Sequence, residues 1–161
     1  MIELIESHRS FKGFQKIYKH ISYSNNCTMR FAVYQPENKK DCPVLYFLSG
    51  LTCDEQNFIQ KSGFQKFASD HQIAVIIPDT SPRGDDIPND KDFKLGFGAG
   101  FYLNATEHPW SKNYNMYDYV TKELPQLVAD KFEFSNAKIG IFGHSMGGGG
   151  AIQCGLKNEL F

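Results

Sequence analysis

The chain has 161 residues, enough for about one domain. Its Lys+Arg 17 and Asp+Glu 18 leave a formal net charge of -1, which excludes the basic stripe a nucleic-acid-binding domain needs to neutralise phosphates. Charged residues at 22% and hydrophobic residues at 41% fit a folded chain with its own core. No apolar run approaches the roughly 20 residues of a membrane helix, and Met1-Ile2-Glu3-Leu4-Ile5-Glu6 lacks the apolar stretch of a secretory signal, so a cytoplasmic protein without a membrane partner is expected. Cys27, Cys42, Cys53 and Cys154 show no C-x-x-C spacing, and His8, His20, His71, His108 and His144 include no i,i+4 pair; no metal site is expected.

In chain order, Gln15 to Tyr23 and Thr28 to Tyr34 alternate apolar and polar residues around Ser24-Asn25-Asn26, the pattern of a hairpin of half-buried strands. Pro43 to Leu48 is a continuous apolar run, as expected of a strand buried on both faces. Asp54 is placed to cap a helix running to about Ser69 and burying Phe58, Ile59, Phe64 and Phe67. Ile73 to Ile77 forms a second buried strand. Residues 79 to 113 are rich in Gly, Pro, Asp and Asn and read as one long connection, of the kind that is either functional or disordered. Tyr117, Val120, Leu124, Leu127 and Val128 stand at helical spacing within 116–132, with Pro125 expected to kink or divide that helix. Lys138 to Phe142 is a third buried strand, followed by a Gly-rich turn and a final helix. The alternation implies an α/β chain with a mainly parallel sheet and an N-terminal antiparallel hairpin.

The segment Gly143-His144-Ser145-Met146-Gly147 stands directly between that strand and that helix. A serine flanked by glycines two residues away on each side, in a strand-to-helix turn, is the pattern of the nucleophile elbow of α/β-hydrolases. The glycines remove side chains that would clash in the tight turn, and the helix start leaves N–H groups without intrahelical acceptors beside the serine. Neither a phosphate-binding P-loop nor the dinucleotide G-x-G-x-x-G fingerprint fits these glycines. A hydrolase elbow calls for a second oxyanion donor from the loop after an earlier strand. Leu48-Ser49-Gly50-Leu51-Thr52-Cys53 occupies that place, which makes the Leu51 N–H the candidate donor beside that of Met146.

Five segments in order resemble the S-formylglutathione hydrolase (esterase D) family: 48–53, Asp79-Thr80-Ser81-Pro82-Arg83-Gly84, Gly98-Ala99-Gly100-Phe101-Tyr102, Tyr117-Asp118-Tyr119-Val120 and 143–148. The resemblance implies a cytosolic serine thioesterase of the α/β-hydrolase fold that uses no cofactor. It implies a small-molecule thioester or ester substrate, with S-formylglutathione hydrolysed to glutathione and formate in formaldehyde detoxification. It places Ser145 as nucleophile, the Leu51 and Met146 amides as the oxyanion hole, and Cys53 at the position of a cysteine near the active site.

Two departures stand against the family pattern. Gly149 replaces a histidine, giving four glycines in a row from Gly147 to Gly150 and an expectation of a weakened helix start. No Asp and no His follows Ser145, whereas the fold orders its triad Ser, Asp, His. His144, His108, His71, Asp79 and Asp118 each have a local structural explanation, so no base is assigned. The expectation is an incomplete α/β-hydrolase domain over residues 1–161, with the 138–142 strand left as an apolar edge that pairs with other chains or with a second copy. An inactive module that binds a ligand or partner, and an acyltransferase, remain as alternatives.

Overall fold

The computed structural model describes residues 2–38, 40, 42–134 and 138–161. The two alternating segments form strands β2 (Gly13–Ser22) and β3 (Cys27–Pro36), paired antiparallel from Gly13↔Pro36 to Ser22↔Cys27. A strand that the hydrophobic pattern did not reveal, β1 (Ile2–Ser10), pairs antiparallel with β2. Its side chains are mostly exposed, so it owes its place to backbone pairing and leaves no period-2 apolar signal.

The apolar runs form β4 (Val44–Leu48) and β5 (Ala74–Pro78), and the third forms β6 (Ile139–Gly143), which is half-buried rather than buried because among the described strands it pairs only with β4. The sheet order is β1-β2-β3-β5-β4-β6, with parallel pairing only for β5-β4 and β4-β6 among the described strands. The sheet is therefore mixed rather than mainly parallel: β1 adds one antiparallel pairing, and β3 enters beside β5 in the opposite sense.

Side-chain alternation along the central strands divides the core into two layers. Val44, Tyr46 and Leu48 face a layer containing Tyr102, Met116, Tyr119, Val120, Leu124, Ala151 and Cys154. Phe47, Val75 and Ile77 face the other, with Tyr34 and Ala68. Phe47, Phe58 and Phe64 stack in succession there, with centroids 3.5 and 4.7 Å apart.

Helical segments cover the sheet. Asp54 caps α1 (Glu55–Lys61) as expected, accepting from the Gln56 N–H, while the Asn57 side chain answers the Asp54 N–H at 2.8 Å. The expected single helix is instead two. Gly63, at φ 66°, separates α1 from α2 (Phe64–Asp70), and the turn leaves Phe67 63% exposed instead of buried. The 116–132 region also divides, into α3 (Met116–Asp118), a π-helical stretch over Tyr119–Glu123, and α4 (Leu124–Lys131). Pro125 lies in the first turn of α4, directly after the π-helical stretch, where the change in helical hydrogen-bond pattern accommodates its missing N–H. The last helix, α5 (Met146–Lys157), forms through all four glycines.

A Cβ added to Gly63 or to Gly149 would meet no atom within 4 Å, yet the two backbones differ. Gly63→Ala should lose about 1 kcal/mol to left-handed strain, while Gly149→Ala should gain about 0.5–1 kcal/mol of helix propensity. Urea unfolding midpoints of the two variants, moving in opposite directions, check this.

Candidate active site

Ser145 is the N-cap residue of α5 and adopts φ 55°, ψ -122°, a conformation that costs an L-residue free energy. The neighbouring glycines make it possible. A Cβ on Gly143 would stand 2.2 Å from the Gly147 carbonyl oxygen, and one on Gly147 would stand 2.0 Å from that of Leu48. The same Leu48 oxygen accepts the His144 N–H at 3.1 Å. The elbow is thus seated on the C-terminal end of β4, with the Ser145 side chain exposed. Met146, the first residue of α5, has an N–H with no acceptor inside the helix.

The loop leaving β4 reaches the same point. A Cβ on Gly50 would lie 3.3 Å from the Ser145 Cβ and 3.4 Å from the His144 Nδ1. The Cys53 N–H donates to the Gly50 carbonyl at 3.3 Å and closes a four-residue turn with Leu51 and Thr52 at its centre. Thr52 has φ 68°. The fold therefore brings Ser145, Met146 and the Leu51 turn together, at the ends of two adjacent parallel strands.

Beside the turn lies a cavity of about 420 Å³ lined by Phe47, Ser49, Gly50, Cys53, Phe58 and His144, among others. Ser49 is 3% exposed, and its hydroxyl has no hydrogen-bond partner among the described residues. Cys53 is half-buried at the cavity wall. Among the described residues no histidine hydrogen-bonds Ser145. His108 and His144 are exposed, His71 ends α2, and His20 is buried against Tyr119 Oη at 3.0 Å.

Residues that carried no chemistry in the sequence prove to surround the turn. Tyr102 Oη donates to the Ser49 carbonyl at 2.8 Å, and its ring fills the space a Cβ on Gly150 would take. Arg83 Nη2 donates to the Cys53 carbonyl at 3.0 Å, and the Thr80 hydroxyl donates to the same oxygen. Asp79, 4% exposed, accepts from Arg83 Nε at 2.8 Å; burial pushes its carboxyl pKa up, against the pull of the guanidinium. The only sequence signal for these residues was their membership of segments 79–84 and 98–102.

A family model for esterases matches residues 22–160. The chain belongs to this esterase family. It is 56% identical over 160 residues to an S-formylglutathione hydrolase of Mus musculus and 54% identical to one of Rattus norvegicus, covering 98% of this chain and 57% of each relative. A solved S-formylglutathione hydrolase from Agrobacterium tumefaciens superposes with a TM-score of 0.95 at 46% identity, over 96% of this chain and 57% of that one. A fluorophosphonate-binding serine hydrolase of Staphylococcus aureus gives 0.70 at 25% identity, over 90% of this chain and 52% of that one. This esterase chain thus spans a little over half the length of the curated relatives it matches, and its architecture is that of α/β-hydrolase esterases.

The glycine contacts are directly testable. Gly147→Ala forces a methyl into the Leu48 backbone and should cost about 2 kcal/mol or more, whereas Gly148→Ala, with the Gly143 oxygen at 3.5 Å, should be tolerated. Thermal unfolding monitored by circular dichroism distinguishes the two.

Proposed function

We propose that this chain carries the nucleophile and the oxyanion hole of a serine thioesterase that hydrolyses S-formylglutathione to glutathione and formate, and that also accepts simple carboxylic esters. The observation that supports this most is the Ser145 elbow at φ 55° with the Gly50 turn 3.3 Å away, in a chain 56% identical to an S-formylglutathione hydrolase. In the proposed reaction the Ser145 Oγ attacks the thioester carbonyl carbon, and the carbonyl oxygen becomes an oxyanion held by the Leu51 and Met146 N–H groups. The C–S bond breaks, glutathione leaves as its thiol after taking a proton, and water then releases formate from the formyl-serine. No cofactor enters.

Ser145 needs a base to accept its proton, and none of the described histidines hydrogen-bonds it. The proposal assigns the nucleophile and the oxyanion donors and leaves the base unassigned. It also includes a cytoplasmic location, in keeping with the free thiols of Cys27, Cys53 and Cys154.

The proposed partner surface is the outer edge of β6. Among the described residues this strand pairs only with β4, on its inner side, and Phe142, Ile152 and Leu156 are 39%, 66% and 84% exposed around it. An unpaired apolar edge recruits another strand. Expressed alone, residues 1–161 should associate or precipitate, which light scattering reads directly; a monodisperse monomer would count against this surface.

In the active protein that carries this chain, Ser145→Ala should abolish both turnover and labelling by a fluorophosphonate, followed by intact mass. Gly50→Val should lower turnover by roughly 100-fold, the usual cost of losing an oxyanion donor, while Leu51→Met should leave it nearly unchanged. Retained turnover in Ser145→Ala would discard the nucleophile assignment, and equal mild effects of the other two would discard the loop.

A further inference from the structure

The Gly50–Cys53 turn holds a β-branched residue in a conformation that belongs to glycine. Thr52, third in the turn, sits at φ 68°, where a Cβ meets the following carbonyl and the usual occupant is Gly or Asn. Such a residue stays there only when its surroundings leave it no alternative. The surroundings here are three polar clamps on the turn's backbone. The Thr52 N–H donates to the Gly98 carbonyl at 3.0 Å. The Ser49 carbonyl takes the Tyr102 hydroxyl. The Cys53 carbonyl takes two donors, the Thr80 hydroxyl and Arg83 Nη2, which fill both of its lone pairs.

All but the tyrosine clamp converge on one segment. The buried Asp79 carboxylate accepts from Arg83 Nε at 2.8 Å and from the Thr80 N–H at 2.6 Å, so it orients both donors to Cys53. The Ser81 hydroxyl accepts the Gly98 N–H at 2.8 Å and so fixes the residue whose carbonyl holds Thr52. A Cβ on Gly98 would lie 2.6 Å from the Thr52 Cα, which shows how closely the two loops are pressed together.

We infer that Thr80 and Arg83, oriented by Asp79, are positioning residues for the esterase reaction: by holding the Cys53 carbonyl they keep the strained turn from relaxing and so keep the Leu51 N–H aimed at the oxyanion site beside Ser145. The inference rests on the oxyanion role proposed for Leu51. It assigns a positioning role to the Asp79–Arg83 segment, whose hydrogen bonds among the described residues include none to Ser145 or Leu51. Released from its clamps, the turn can relieve Thr52 by rotating its central peptides, and the Leu51 amide turns away while the protein stays folded.

The test is made in the active protein that carries this chain. Thr80→Val keeps the shape of a buried side chain and removes the donor; Thr80→Ser restores the donor. Thr80→Val should lower kcat by roughly 10- to 100-fold, the scale of a misplacement near 1 Å, with KM little changed, and Thr80→Ser should recover most of the loss. The preference for an oxoester over the matching thionoester, whose sulfur is a weak acceptor, should shrink with it. Arg83 is 36% exposed, so Arg83→Lys and Arg83→Met should both fold; both should lower kcat, because a lysine cannot serve Asp79 and Cys53 together as the guanidinium fork does. Parental kcat in Thr80→Val and Arg83→Met, or a loss that Thr80→Ser does not repair, would overturn the inference. Full turnover in Gly50→Val would instead overturn the oxyanion role beneath it.

Discussion

The carbonyl oxygen of Leu48 receives the first turn of α5 at a distance that leaves no room for a side chain. A Cβ on Gly147 would lie 2.0 Å from it, and the same oxygen accepts the His144 N–H. This contact between strand end and helix start decides the rest of the site. It holds the chain between β6 and α5 in a turn too tight for relaxed dihedrals, so Ser145 is carried into a positive-φ conformation with its side chain outward. It also brings the last residue of β4 against the elbow, so the loop leaving β4 must pass beside the serine.

That loop gains its rigidity from side chains far away in sequence. Long connections are usually mobile because few apolar contacts hold them. Residues 79–83, Gly98 and Tyr102 are instead tied down by buried polar contacts with backbone. Asp79 is the centre of this arrangement, since its carboxylate is bound by a guanidinium and two amides that offset the cost of its burial. Electrostatic stabilisation of an oxyanion depends on donors whose orientation is set before the reaction begins. The turn proposed to carry the Leu51 donor, held by a half-buried ion pair and two hydroxyls, meets that requirement better than a solvated one would.

A second buried carboxylate performs a comparable task at the β2–β3 turn. Glu123, in the π-helical stretch, accepts from the Ser22 hydroxyl and from the N–H groups of Tyr23 and Ser24. It thereby fastens the β2–β3 turn to the helical segment whose Tyr119 and Val120 share a core layer with Tyr102. Asn25 and Asn115 reinforce the same junction, with the Asn115 N–H reaching the Asn25 Oδ1 at 3.0 Å. The helical layer is thus registered on the antiparallel strands by hydrogen bonds, and the apolar contacts fill the space between.

The residues legible from sequence were those whose physics is local. Apolar runs announced β4, β5 and β6; Asp54 announced its own cap; glycines at 143 and 147 around a serine announced the elbow, because a tight turn excludes Cβ atoms whatever surrounds it. The strand β1 and the break at Gly63 were not legible, since one depends on backbone pairing to a distant strand and the other on a single dihedral. Tertiary structure alone decided that Thr80, Arg83 and Tyr102 close on the carbonyls of Ser49 and Cys53. Their partners lie 27 to 53 residues away, and a backbone carbonyl leaves no mark in the sequence to show which side chain will find it.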